Sequence, residues 1–288
     1  LMLHQACRHC PVPGPKDALG RAGRRFVGAA PGHTLPSRMS IRSGDQPPMP
    51  NASGHRVAGS GGPVGGGLGR RDPRASATFT GADLASVVTR AERLLARNRV
   101  LLDRLDAELG DGDHGENMTA GFAHAVRSVV PADPLDDVGD LLRQLGHQLV
   151  SGVGGAGGSL YGTAFIEAGI AVAGLAELTP EDTARALDAA AEGLARRGRC
   201  RLGDKTIYDA LRPAADAFAA ALARGAGRDV AIMAAIRAAR DGMHTTTPLI
   251  ARRGLALRLG ERSRGHQDPG ATSCYLLFRA LLASGSRD

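Results

Sequence analysis

From residue 82 onwards the chain is a succession of segments whose apolar residues recur three or four positions apart, a period that admits little besides helices. In ADLASVVTRAERLLARNRVLLDRLDAEL, residues 82–109, Leu84, Val87, Val88, Leu94, Leu95, Leu101 and Leu102 fall close to a 3.6-residue repeat. Ala and Leu dominate, Trp is absent and β-branched runs are scarce. Further helices are expected at 116–130, 133–152 (with Pro134 in its first turn), 158–174, 179–198, 206–223, 228–243 and 270–284. The 179–198 segment carries the fullest set of end signals: Thr179 as N-cap, Pro180 in the first helical position, Asp182 at the third and Gly198 as a stop. Eight helices with short connections predict an all-α fold, an antiparallel bundle or helical barrel.

Residues 1–78 read differently. They hold 14 Gly and 10 Pro and show no sustained apolar period. Such a segment cannot bury enough apolar surface to offset its ordering entropy, so a disordered extension is expected, with the folded domain at 79–288. The extension also carries the basic charge, 11 Lys and Arg against 3 Asp and Glu, whereas residues 79–288 hold 25 against 26. The near-neutral body argues against nucleic-acid binding, which calls for a basic face. Residue 1 is Leu, and the expectation is that the native chain starts later, with Met39 one candidate; an Arg-rich transit peptide is the other reading.

The 210 residues of the body suffice for one sizeable domain. No run of 18 apolar residues suggests a membrane span. Cys200 and Cys274 read as buried thiols, and Cys7 and Cys10 have no second ligand pair to complete a metal site. Four cysteines in 288 residues fit a reducing cytoplasm.

Chemistry is expected in the polar, glycine-rich breaks between helices. In LDAELGDGDHGENM, residues 105–118, Asp106, Asp111 and Asp113 lie within eight positions, with Gly110 and Gly112 between them. Carboxylates this close repel one another unless a cation joins them. Their hard oxygen atoms suit Mg²⁺. An EF-hand loop is excluded, because the twelfth position from Asp111 is Phe122 rather than Glu. Capping of the next helix would explain one of these aspartates but not three.

The second break, GVGGAGGSLYG at 152–162, offers backbone N–H groups to an anion at a helix start; tight interhelical packing is the competing reading. The third, LGDKTIYDALRP at 202–213, sets Lys205 either against a ligand or in solvent ahead of a capped helix. The fourth, LGERSRGHQDPGATS at 259–273, places Asp268 and Pro269 at a helix start, with Arg262 and Arg264 as cations for phosphate oxygens and His266 as a further contact. Together these parts suit a nucleotide–Mg²⁺ site, since phosphoryl transfer relies on positioning, metal and amide dipoles more than on covalent help from the protein. The body carries no paired Ser or Cys with an evident base.

The four motifs LDAELGDGDHGENM, GGAGGSLYG, GDKTIYDAL and LGERSRGHQDPGATS, in this order, resemble the L-type, nucleotide-binding subunits of dihydroxyacetone kinases over nearly all of 79–288. The resemblance implies an eight-helix antiparallel barrel with a nucleotide–Mg²⁺ site at one end. It implies two Mg²⁺ ions on Asp106, Asp111 and Asp113, with His114, Asn117 and Met118 beside ADP or ATP. Amides of Gly155, Ala156 and Gly157 would meet the phosphates, and Arg262, Asp268, Pro269 and Gly270 would border the nucleotide. It further implies a separate K-type subunit carrying dihydroxyacetone or another small ketose, an M-type phosphodonor in phosphotransferase-linked systems, and a homodimer or hetero-oligomer. The alternative is a nucleotide-binding regulator with little catalysis that partners a transcription regulator. The sequence departs from the family pattern where Gly157 replaces Ser, Ser159 replaces Pro, and Leu255, Leu257 and Arg258 replace Arg, Ser and Tyr.

Overall fold

In a computed structural model of the chain, residues 78–129 and 137–282 are described. The expected disordered extension up to Ala77, with Cys7, Cys10 and Met39, lies outside them, as does the 133–136 start expected for the third helix. The described residues form eight α-helices: α1 (Gly81–Ala107), α2 (His114–Val129), α3 (Val138–Gly152), α4 (Gly155–Ala171), α5 (Pro180–Gly198), α6 (Tyr208–Ala223), α7 (Arg228–Thr245) and α8 (Pro269–Arg279). A 3-10 segment, Leu255–Ser263, lies between α7 and α8.

The fold is all-α, as the apolar period predicts. Each helix packs against its successor and α8 packs back on α1, so the eight close into a ring. The Arg90 side chain of α1 seals the closure by donating to the Ala280 carbonyl at 2.8 Å. Among the described residues a single short pairing, which the sequence did not announce, joins β1 (Phe79–Thr80) antiparallel to β2 (Glu177–Leu178). No helix among the described residues is long and apolar enough to cross a membrane.

Small residues set the helix spacing. A Cβ on Gly146 of α3 would lie 2.6 Å from the Gly162 carbonyl of α4, and one on Gly139 would lie 2.7 Å from that of Gly169. The two pairs run in opposite directions along the helices, which fixes α3 and α4 as antiparallel neighbours at close backbone contact. The core fills the ring with Leu95, Leu102, Met118, Phe122, Leu145, Leu149, Leu194 and Phe218, all at most 1 % exposed. Leu101, counted in the α1 repeat, faces outwards at 48 % exposure beside the fully buried Leu102. Along the axis lies an apolar cavity of about 190 Å³, lined by Phe79, Phe122, Phe165, Phe218 and Leu281 among others.

Helix ends follow local chemistry. Thr179 and Asp182 form the expected reciprocal cap on α5, and Thr80 with Asp83 forms a second one on α1. The α5 stop is not Gly198 but Arg199, which takes the left-handed conformation at φ 49°. α4 begins at Gly155 rather than 158, so the glycines expected to be a break form its first turn.

Candidate functional site

The aspartate turn hangs between α1 and α2. Asp106 sits at the end of α1, and its Oδ2 accepts the N–H groups of Gly112 (2.9 Å) and Asp113 (3.1 Å), which folds the turn back over it. A Cβ on Gly110 would approach Asp106 Oδ1 to 2.6 Å and displace that carboxylate, and Gly112 adopts φ 81°, which favours glycine. Carboxylate oxygens of Asp106, Asp111 and Asp113 come within 4.8 Å of one another. Burial and the neighbouring Asp111 push the Asp106 carboxyl above its ordinary value, against the two N–H bonds that pull it down. None of the ion pairs formed among the described residues involves these three aspartates. Three hard oxygen donors without an ion-pair partner among the described residues make a donor set that fits Mg²⁺.

The start of α2 supplies the next layer. Asp103 of α1 caps it by accepting from Glu116 N at 3.0 Å. His114, Asn117 and Met118 then face the start of α4. A Cβ on Gly154 would lie 2.6 Å from Oδ1 of Asn117, and one on Gly157 would be 3.8 Å from Met118 Sδ and 3.9 Å from His114 Cε1. Gly154 is the N-cap of α4 and offers no side-chain acceptor, so the first-turn N–H groups have no side-chain cap. Gly155 opens the helix at φ 65°.

The start of α8 closes the group. Asp268 caps it by accepting from Ala271 N at 2.6 Å, and Pro269 fills the first position. Asp268 keeps some exposed surface, yet its carboxyl faces inwards, and burial pushes it up to about 7. Two residues that the sequence reading left unused tie α8 to the other elements. Ser273 Oγ lies 2.9 Å from His114 Nε2 and 2.8 Å from the Tyr161 hydroxyl, which also donates to the Gly270 carbonyl. Burial drives His114 down to about 4, so it is neutral near pH 7, and raises Tyr161. Tyr161 stood in the quoted GGAGGSLYG motif, but its partners are more than 100 positions away in sequence, beyond the reach of any local pattern.

Lys205 fits neither reading given to it. It is 2 % exposed, and Nζ donates to the carbonyls of Thr246 (2.7 Å) and His266. His266 Nδ1 lies 3.6 Å from Glu108 Oε2, which brings the fourth break to the aspartate turn. The 3-10 segment joins there too, because Ala256 and Leu259 pack with Leu109. Arg262 is exposed, as are Leu255, Leu257 and Arg258. Cys200 and Cys274 are buried free thiols.

The arrangement thus brings three clustered carboxylates, a helix N-terminus without a side-chain cap and a second, aspartate-capped helix start into one connected group. The DAK2 domain pattern matches residues 108–283. The chain belongs to the DAK2 domain family. The chain is 38% identical over 194 residues to the ADP-binding subunit DhaL of the PEP-dependent dihydroxyacetone kinase of Escherichia coli, covering 67% of this chain and 92% of that protein. It is 35% identical over 202 residues to an L-erythrulose 1-kinase of Mycolicibacterium smegmatis, covering 69% of this chain but 35% of that longer one. In structure it resembles the C. freundii dihydroxyacetone kinase solved with AMP-PNP and Mg²⁺, with a TM-score of 0.52 and 26% identity over 78% of this chain and 37% of that one. Asp106, the first of the three aspartates, stands two residues before the DAK2 match begins.

Proposed function

We propose that residues 79–288 form the nucleotide-binding subunit of a dihydroxyacetone-type kinase. In this reading ADP or ATP is held with Mg²⁺, and a phosphoryl group passes to dihydroxyacetone or a related small ketose on a separate K-type subunit. The observation that carries it is the convergence of the three-carboxylate turn with the α4 start, whose N–H groups lack a side-chain cap. Asp106, Asp111 and Asp113 would hold the metal, two ions by resemblance, which supplies charge neutralisation for the phosphates.

The chain's own groups do the rest. N–H groups of Gly155, Ala156 and Gly157 bind phosphate oxygens along the favourable end of the helix dipole. His114 is neutral and held by Ser273, so it orients without adding charge. Asn117 and Met118 form the wall facing α4, while Asp268, Pro269 and Gly270 border the nucleotide, with Arg262 at the exposed rim. The ketose needs a partner subunit, and the similarity to an ADP-binding subunit favours a bound coenzyme recharged by an M-type phosphodonor. The setting is the cytoplasm.

The test is to purify the full chain, denature it and look for released nucleotide by anion exchange. Mg-ADP titration follows, then mixing with a K-type subunit loaded with dihydroxyacetone in the presence of a phosphoryl donor, ATP in one arm and a phosphorylated M-type subunit in the other. Bound or titratable ADP together with phosphoryl transfer supports the kinase. Nucleotide binding without transfer favours the regulatory alternative, and no binding at all rejects both.

A further inference from the structure

We propose that Lys205 is a positioning residue that sets the Asp268–Gly270 turn against the aspartate turn; this rests on the nucleotide reading above. Three separate features single it out. First, it is a long charged side chain at 2 % exposure, a place lysine rarely occupies without paired partners. Second, its backbone sits at φ 64°, a left-handed conformation that is costly for a non-glycine residue and persists only where the surroundings enforce it. Third, its ammonium bridges two chain segments, donating both to the Thr246 carbonyl at the C-cap of α7 and to the His266 carbonyl two residues before the α8 cap.

The bridge belongs to a clamp. Gly265 N donates to the Thr247 carbonyl at 2.8 Å, and Asp268 N donates to Thr246 Oγ1 at 3.0 Å. Segment 265–268 is therefore fastened to the end of α7 at three points, and Lys205 is the one that ties both strands of the clamp to the 202–207 turn. That turn is itself rigid. Asp209 accepts from Gly203 N and Thr206 N, and Asp204 accepts from Arg201 N and Arg253 Nε. Ile207 completes the contact, lying where a Cβ on Gly270 would come within 2.6 Å of it. Burial lowers the Lys205 pKa, and the carboxylates of Asp268 and Asp209 oppose this, which keeps a charge available to both carbonyls. Neither carboxylate bonds to Nζ, so the ammonium serves the backbone. The 202–213 break offered a lysine at the ligand; its ammonium instead lies behind the α8 start, on two backbone carbonyls.

The experiment compares the full chain with Lys205→Met by titration with Mn²⁺ alone and then with Mg-ADP, at a temperature where circular dichroism shows both folded. The expected result is unchanged Mn²⁺ affinity, because the aspartate turn is intact, and Mg-ADP binding weakened about tenfold or more through misplacement of the α8 start. A merely structural lysine would lower the melting temperature and leave both affinities alone, and that outcome overturns the assignment. If Lys205→Met does not fold, Lys205→Arg takes its place, keeping the charge but replacing a compact ammonium with a planar fork. Weaker Mg-ADP binding with unchanged Mn²⁺ binding supports the role, and unchanged Mg-ADP binding rejects it. Failure of the unmutated chain to bind Mg-ADP rejects the nucleotide reading instead.

Discussion

Among the described residues, the aspartate turn keeps its carboxylates together with backbone N–H groups and glycine geometry rather than with ion pairs to lysines or arginines. Their mutual repulsion is thus a standing cost in metal-free protein. Asp111→Asn should leave the melting temperature in EDTA equal or higher, while removing most of the rise that Mg²⁺ gives the parent. A variant that melts earlier in EDTA would mean the carboxylate supports the fold. Asp268 gives a pH signature. Its folded value of about 7 lies above the ordinary 3.8, so from about pH 4 to 7 the folded chain holds a proton that the unfolded chain has lost, and stability from this group falls as pH rises. Asp268→Asn keeps a capping oxygen and escapes that loss. The difference in melting temperature between variant and parent should move in the variant's favour across this range, and a difference independent of pH would mean that Asp268 is ionised throughout. Gly157 is a tolerant departure, since nothing lies closer than 3.8 Å to a Cβ placed there and its φ is not left-handed. Gly157→Ser should fold as the parent does and bind Mg-ADP more tightly through an added hydroxyl donor, as isothermal titration would register.

At the scale of elements, much was legible because the signals were local. The Thr179–Asp182 cap reads directly from four adjacent residues, and the α1 stripe reads from its period. The α4 start was misplaced because a run of glycines looks like a break. In three dimensions those glycines are the helix, made glycine-rich by what lies against them: Gly158 against the Val153 and Leu149 carbonyls, Gly162 against Gly146. Both readings of that motif therefore hold in part, close packing on one face of α4 and exposed N–H groups at its end. The Lys205 clamp was illegible for a different reason: its acceptors are carbonyls 41 and 61 positions away, and carbonyls carry no sequence signature. The α3–α4 contact makes a prediction of its own. Gly146→Ala drives a methyl group into the Gly162 carbonyl and should cost about 1–3 kcal/mol by overpacking. A urea midpoint that does not fall would show that the two helices part easily.

For the whole molecule, ligand binding and fold stability are linked, because the elements that form the candidate site, α1, α2, α4 and α8, are staves of the same ring. Mg-ADP at a hundredfold excess over its Kd should stabilise the folded chain by about 2.7 kcal/mol, raising Tm by about 5–10 °C for a domain of this size. The ring closure has a consequence for how such a domain is wired into larger proteins. Because α8 returns to α1, with Arg90 reaching Ala280 and Phe79 facing the same cavity as Leu281, the first and last described elements lie side by side. A short linker between them would complete the circuit, and new ends opened in the brief 224–227 connection between α6 and α7 would cut no helix. A circular permutant of the body should fold. The same adjacency lets the unit be spliced before, after or within another chain without unpicking its wall, as suits a domain whose similarity to a longer L-erythrulose 1-kinase spans 35% of that protein.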